Sequence, residues 1–339
     1  MENPSAVLHA AGELRIEERP VPVAGPGQVL VRVEATGICG SDVHYYEHGR
    51  IGDFVVDTPM VVGHESAGTV VAVGDGVDPA RIGQPVALEP GVPCRRCHEC
   101  RHGRYNLCPD VQFFATPPVD GSIAAFVAID ADFAHPVPDG LELEQAAMAE
   151  PVSVGVWAAR KAGISAGDRV LVTGAGPVGL FAAQVARAFG AAPVALTDMN
   201  AFRLTAARDL GFAARRADEP LGGEFDVLIE CSGAQGALTA GMRALAPAAR
   251  VVLVGMGADT VQINVPLMQG RELSISGIFR YANTYPTALA LLASGQVRTE
   301  PVITHRFALE DTEQALTLAR RDPESLKAVV GPAAASVSA

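Results

Sequence analysis

The chain has 339 residues, 49% of them hydrophobic and 19% charged, with a formal net charge of -12 at pH 7. That length allows two domains and a sizeable core, and an acidic balance with no basic stripe against it excludes nucleic acid and anionic membrane as expected partners. Residues 1–20 carry acidic groups and no apolar h-region, and the longer apolar stretches are broken by Arg187 and Arg250. Neither a signal peptide nor a membrane span is expected, and the expected location is cytoplasmic.

From residue 27 to about residue 133 the chain reads as short β runs, 28–34, 68–73, 85–88 and 124–129, cut by Gly and Pro clusters. This texture predicts an all-β unit of barrel type. Inside it lies a loop with Cys94, Cys97, Cys100 and Cys108. Two residues between successive thiols let their sulfurs converge on one ion, and the last cysteine closes the tetrahedron. The spacing predicts a closed, structural zinc site whose negative charge Arg95, Arg96, Arg101 and Arg104 are placed to offset. His98 and His102 are possible substitutes for a cysteine, but four thiols already fill the site. A disulfide pair would need an oxidising compartment, against which the rest of the chain argues.

Near residue 141 the texture turns helical, and from residue 169 strand and helix alternate. Residues 169–173 form a short apolar run, 177–189 have helical spacing with Gly190 as the stop, and 194–197 read as the next strand. This is a parallel βαβ unit. Residues 225–230, 250–254 and 273–278 read as later strands of the same sheet. Helical stretches at 285–294 and 311–320 are expected to return the chain to the first domain, and 332–339 read as a frayed end. Gly174, Gly176 and Gly179 form Gly-x-Gly-x-x-Gly directly after a strand and at the start of a helix. The first glycine permits the turn, the second lets backbone approach a pyrophosphate, and the third lets helix and strand pack closely. Asp198 ends the next strand, where a carboxylate accepts from ribose hydroxyls and repels a 2′-phosphate, so NAD is expected over NADP. Arg203 is placed either to stack on adenine or to approach a phosphate on the ribose, and the second would work the other way.

Cys39, His64, Glu65 and Glu150 are ambiguous one by one: a small buried thiol or a ligand, a turn histidine or a ligand, helix-end carboxylates or site carboxylates. Their sequence context carries a resemblance. Gly63-His64-Glu65-Ser66-Ala67-Gly68, followed by Gly74 and Val77, resembles the zinc signature of the medium-chain alcohol dehydrogenase superfamily. Cys39-Gly40-Ser41-Asp42-Val43-His44-Tyr45, Ala115-Thr116-Pro117-Pro118, Glu150-Pro151-Val152-Ser153-Val154-Gly155 and Phe279-Arg280-Tyr281-Ala282-Asn283-Thr284 are similar to segments of the sorbitol and xylitol dehydrogenases. The likeness runs from about residue 17 to about residue 331.

The resemblance implies an α/β protein: a β-rich GroES-like catalytic domain over 1–152 and 286–339, and a Rossmann doubly wound parallel sheet over 153–285. It implies an NAD- and zinc-dependent oxidation of a polyol at C2 to the ketose, xylitol to xylulose or sorbitol to fructose. Cys39 and His64 would hold a catalytic zinc, with either Glu65 or Glu150 supplying a carboxylate directly or through water. Ser41 and His44 would relay the proton, with a water chain from Glu65 or Glu150 as the competing route. The cofactor would be met by Gly174, Gly176, Pro177, Val178, Gly179, Asp198, Arg203, Val254, Gly255, Met256, Ile278, Phe279 and Arg280, and the substrate by Tyr45, Phe113, Thr116, Glu150, Arg280 and Tyr281. A homotetramer is implied as well. The four-cysteine loop departs from the vertebrate sorbitol enzymes, where most of these cysteines are absent, and fits microbial relatives better. Rival readings are a zinc alcohol, butanediol or threonine dehydrogenase, or a non-enzymatic structural protein on the same fold. Neither the preferred polyol nor the direct carboxylate ligand is readable from the sequence.

Overall fold

Strand Gln28–Gly37 organises the first part of the protein because three partners share its two edges. Its Val29, Leu30, Val31 and Val33 are buried. Glu65–Val73 runs antiparallel along one edge, and the other edge is divided between Phe126–Asp130, opposite Gln28 to Arg32, and Lys327–Val330, opposite Thr36 and Gly37. Pro85–Leu88 and Ala134–Pro136 extend the ladder on one side and Ile303–Phe307 on the other, making a seven-stranded sheet. Among the described residues its two end strands do not pair, so the expected barrel is an open one. A smaller sheet of Pro4–Ala10, Glu13–Glu18 and Met60–Val61, which the sequence reading did not anticipate, packs Leu8 and Val7 into the same cores.

This computed structural model describes residues 2–332. The expected frayed end at 332–339 lies, from residue 333 on, outside the described residues. Two compact units are present, one of Met1–Glu150 and the chain from Ile303 onward, the other Pro151–Val302. The second boundary was expected between 285 and 286; these two units divide between Val302 and Ile303. Helix Tyr285–Ala293 stays with the second unit, where Arg160 donates to the Asn283 carbonyl and to Thr287 Oγ1, and Gln184 exchanges hydrogen bonds with the Arg298 backbone. The expected helix at 311–320 is also broken, into Thr312–Leu316 and Leu318–Arg321. Thr317 sits at the break, its hydroxyl bonded back to the Glu313 carbonyl at 2.9 Å, a local bond that competes with a continuous helix.

The second unit holds a six-stranded parallel sheet in the order Ala213–Arg216, Val194–Asp198, Val170–Thr173, Phe225–Glu230, Leu245–Leu253, Ser274–Gly277. The chain order reverses between Val170–Thr173 and Phe225–Glu230, which opens a crevice at their carboxyl ends. Val170, Leu171 and Val172 are fully buried, as a strand covered on both faces requires. Helix Pro177–Ala188 starts with Pro177 in its first turn and buries Leu180, Phe181 and Val185.

Candidate metal centres and nucleotide site

Cys39, His64 and Glu65 offer ligand atoms that all lie within 4.8 Å of one another. Cys39 precedes helix Gly40–His48, whose Asp42 carboxylate accepts from the Cys39 amide at 2.9 Å and from the Gly63 amide at 3.0 Å. The same carboxylate stands 3.4 Å from His64 Nδ1, so one buried acid ties the thiol's loop to the histidine's loop and leaves the other ring nitrogen for a metal. Burial pulls the His64 imidazole down and the Asp42 carboxylate more than reverses this, so its pKa stands well above 6.5. Asp42, raised by burial, is brought below its ordinary value by His64 and the two amides. Gly63 has φ +90°, and a Cβ there would meet Ile123 Cγ1 at 2.4 Å, so only glycine lets the chain turn at this point.

Glu65 opens strand Glu65–Val73 opposite Gly37, and a Cβ on Gly37 would fall 2.1 Å from Glu65 Oε2. Glu150 is buried in the first turn of helix Ala149–Ala162. Lys327, which sequence reasoning missed, places its ammonium 2.8 Å from both Glu65 oxygens and 2.9 Å from the Ile38 carbonyl. Burial lowers the pKa of this lysine, but Glu65, then Cys39, and Glu150 among the smaller contributions, raise it overall. One thiol, one imidazole and a buried carboxylate at this spacing fit a zinc ion with room for an exchangeable oxygen.

The four-cysteine loop forms a separate cluster, with all four sulfurs within 4.8 Å of one another. Sγ separations of 3.3 Å for Cys97–Cys100 and 4.0 Å for Cys94–Cys100 bracket the edge of about 3.8 Å expected for tetrahedral zinc thiolate, and all six cysteines are free. Amide donors of Cys94, Cys97 and Cys100 each point at a sulfur at 3.4 Å. The amides of Arg96 and Cys97 bring the Cys94 thiol down to about 7, whereas burial and the neighbouring Cys97 thiol push Cys100 up to about 12. Four thiols in this volume ionise together only around a cation, which is the fit a structural zinc demands.

Two of the four arginines expected to offset that charge have other partners: Arg95 pairs with Asp130 at 2.7 Å and Arg104 with Glu99 at 2.6 Å. His98 and His102 are exposed, with ring centroids 4.1 Å apart, and neither belongs to the sulfur cluster. Tyr105, within the loop, donates to the buried Glu89 at 2.6 Å, and His135 contacts the other Glu89 oxygen at 2.7 Å, which docks the loop on the sheet.

In the second unit, Gly174 has φ +89°, and its Cβ would meet the Ser232 amide at 2.9 Å, while a Cβ on Gly179 would fall 1.9 Å from the Gly174 carbonyl. Gly176 has no such crowding, its nearest neighbour being Arg203 Nη1 at 3.8 Å, so backbone there stays open to an approaching phosphate. Asp198 accepts from Ala175 N at 2.7 Å and Asn200 N at 2.8 Å, with Arg203 Nη1 at 3.9 Å. It therefore also braces the glycine turn. Gly255 passes so close to the turn after Phe225–Glu230 that its Cβ would lie 2.3 Å from Gly233 N, and the buried Glu230 carboxylate gathers the Ser232 and Gly233 amides of that turn. Met256 and Phe279 are exposed. Pro177 and Val178 open the helix after the turn, and Val254 and Ile278 follow the ends of Leu245–Leu253 and Ser274–Gly277.

Of the expected substrate residues, Phe113 is buried with its ring 5.8 Å from that of His64, and Thr116 is half-buried. Tyr45 packs in a hydrophobic cluster with Ile38, Tyr46 and Val62. Arg280 and Tyr281 belong to the second unit, Arg280 with its guanidinium 4.8 Å from the Phe279 ring centroid and Tyr281 buried beside Tyr285. Ser41 is half-buried, and His44 is exposed with its ring 4.5 Å from that of His48.

Comparison with known proteins decides the family. The alcohol dehydrogenase GroES-like domain matches residues 25–139, and the zinc-binding dehydrogenase domain matches residues 177–294. Sorbitol dehydrogenase of Mus musculus is 46% identical over 335 residues, covering 94% of this chain and 93% of the relative. The chain belongs to the zinc-binding dehydrogenases of the GroES-like alcohol dehydrogenase family. Among solved structures, an Escherichia coli alcohol dehydrogenase in complex with NADH superposes with a TM-score of 0.91 at 29% identity, covering 97% of this chain and 99% of that one. L-idonate 5-dehydrogenase from Escherichia coli gives 0.91 at 29%, with 98% of both chains covered. Members of this family combine a GroES-like unit with a Rossmann unit, which is the pair of units seen here. No helix among the described residues is long and apolar enough to cross a membrane.

Proposed function

We propose that this zinc-binding dehydrogenase oxidises a polyol at C2 to the ketose with NAD as acceptor. The observation that carries the reading is the cluster of half-buried Cys39 with buried His64 and Glu65, set apart from the four-sulfur loop, in a chain 46% identical to a sorbitol dehydrogenase. A closed structural site and an open site make different demands, and this chain answers both with different ligands. Zinc, when bound, would supply a Lewis acid that makes a substrate hydroxyl easier to deprotonate, and NAD would supply the hydride acceptor.

The chain's own residues do the rest. Cys39 and His64 hold the metal, and Asp42 orients the imidazole. Glu150, buried at its helix start, accepts from substrate hydroxyls or from water, and the half-buried Thr116 adds a further polar contact. Phe113 keeps the surroundings of His64 apolar. Ser41 and the exposed His44 pass the released proton outward. Gly174, Gly176 and Gly179 with the start of helix Pro177–Ala188 hold the pyrophosphate, and Asp198 the adenosine ribose. A homotetramer is the assembly proposed with this reading, to be checked by light scattering.

The test is kcat/KM over C4 to C6 polyols, 2,3-butanediol, threonine and ethanol, with NAD and with NADP. Buried polar groups left unpaired by a monohydric substrate cost roughly 1–3 kcal/mol each, so ethanol is expected to fall orders of magnitude behind the best polyol. Equal use of ethanol and polyols would place the chain with the general alcohol dehydrogenases.

A further inference from the structure

Glu230 ends strand Phe225–Glu230 and, among the described residues, is the one carboxylate of the nucleotide unit that is buried, at 3% exposure. Three acids at or near other strand ends of the same sheet each have a cation: Asp226 has Arg169 at 2.8 Å, Asp168 has Arg250 at 2.8 Å, and Asp198 has Arg203 at 3.9 Å. No ion pair among the described residues includes Glu230. Its partners are neutral, and all of them donate. The Ser232 amide stands at 2.8 Å, the Gly233 amide at 3.1 Å and Thr173 Oγ1 at 3.4 Å. The Ser232 hydroxyl accepts from the Ala234 amide at 3.1 Å and is left to donate its own proton to Glu230. A carboxylate met only by donors is the ionised, acceptor-only form. Burying that charge without a counter-ion is costly, so an uncompensated one beside a binding crevice points to a cation that arrives with the ligand.

The main chain around Glu230 ties this charge to the cofactor turns. Its carbonyl accepts from the Val254 and Gly255 amides at 2.8 Å each. A Cβ on Gly174 would meet the Ser232 amide at 2.9 Å, and one on Gly257 the Gly233 carbonyl at 2.0 Å, so the turn after Glu230 lies between the glycine turn and the 255–257 segment with no room for a side chain. Asp198 belongs to the half of the sheet that takes adenosine. Glu230 ends the first strand of the other half, which takes the nicotinamide end of a dinucleotide bound across the crevice. The nicotinamide ring is positive in NAD⁺ and neutral in NADH, so a fixed negative charge on that half attracts the oxidised form alone. Its field already acts on a neighbour, since burial and then the Glu230 charge push the Cys231 thiol up. We propose that Glu230 is a specificity-determining residue that makes the crevice favour NAD⁺ over NADH and so biases cofactor binding towards the oxidising direction. The inference deepens the NAD-linked reading and rests on it.

The test is isothermal titration of the full, zinc-loaded chain with NAD⁺, NADH and ADP-ribose, the last of which lacks nicotinamide. A wild type that binds none of the three overturns the NAD reading, and the proposal with it. Where they bind, Glu230→Gln is expected to weaken NAD⁺ by about tenfold while NADH and ADP-ribose stay within about twofold, the order expected for one unit charge acting beyond contact distance at an effective dielectric constant near 20. Glu230→Asp keeps the charge on a shorter side chain. It should keep the wild-type ratio of NAD⁺ to NADH affinity even where both fall, and a ratio shifted as in the glutamine variant overturns the proposal. Should Glu230→Gln fail to fold, the wild type decides with an analogue carrying benzamide in place of nicotinamide, similar in shape and without the ring charge. NAD⁺ bound several-fold more tightly than that analogue supports the proposal, and equal binding overturns it. An equal loss of NAD⁺, NADH and ADP-ribose in Glu230→Gln, or no loss at all, overturns it as well, the equal loss leaving the carboxylate a brace of its turn alone.

Discussion

Gly37 shows how one missing side chain shapes the candidate catalytic centre. Glu65 Oε2 and Met148 Cε occupy the space where a Cβ would stand, at 2.1 and 2.9 Å. Gly37→Ala must therefore displace a carboxylate already held by Lys327. Overpacking of this kind costs typically 1–3 kcal/mol, and displacing the carboxylate beside Cys39 and His64 is expected to cost metal affinity, about 10–100-fold even for a group acting from outside the ligand set. Thermal unfolding and zinc retention after dialysis should both fall, and retention equal to wild type would show that Glu65 has no bearing on the metal. Asp198 braces the glycine turn and is proposed to select NAD, and the two roles separate by substitution. Asp198→Asn keeps an acceptor for the Ala175 amide while removing the charge, whereas Asp198→Ala removes both. The asparagine variant is expected to shift the kcat/KM ratio towards NADP with little change in stability, and the alanine variant to weaken both cofactors through a loosened glycine turn. A wild type that already prefers NADP would mean that Arg203 outweighs the carboxylate.

At the scale of elements, the nucleotide unit is stitched at the amino end of its central strands. Arg169 donates through its amide, Nε and Nη2 to Asp226, at 2.9, 3.0 and 2.8 Å, and this hold brings the Asp226 carboxyl down to about 2 from an ordinary 3.8. A carboxyl lowered in the folded state stabilises it above the unfolded pKa and loses that contribution as pH falls through the folded one. Wild type should therefore exceed Arg169→Met in urea midpoint at neutral pH, with the gap closing between about pH 4 and about pH 2. A gap that does not vary with pH would assign the arginine's effect to packing. The four-cysteine loop is held differently, by amides pointing at sulfurs and by Tyr105 on Glu89. Its residues lie within one stretch of 94–108, which is why spacing alone was enough to find it.

For the whole molecule, two ligand sets imply two zinc ions per chain, and the sets are expected to fail separately. Cys39→Ser should remove one zinc and the activity while leaving thermal stability nearly intact. Cys97→Ser should remove the other zinc and lower the melting temperature, because a loop without a core of its own loses its closure. Elemental analysis giving one zinc in wild type, unchanged by Cys39→Ser, would count against the catalytic assignment. The sequence by itself determined the features whose residues share one turn or one strand–helix junction: the cysteine loop, Gly174 to Gly179 and the acid at 198. There, spacing along the chain is already spacing in space. Cys39, His64, Glu65 and Glu150 were legible only through family resemblance, because each has an ordinary packing role when read alone. Tertiary structure alone decided that Asp42 braces His64, that Tyr285–Ala293 stays with the nucleotide unit, and that Lys327 meets Glu65. A lysine before three apolar residues reads as the exposed start of a strand. Only the pairing of Lys327–Val330 with Thr36 and Gly37, after the chain has left this unit and returned at Ile303, brings its ammonium to Glu65 and the candidate metal centre.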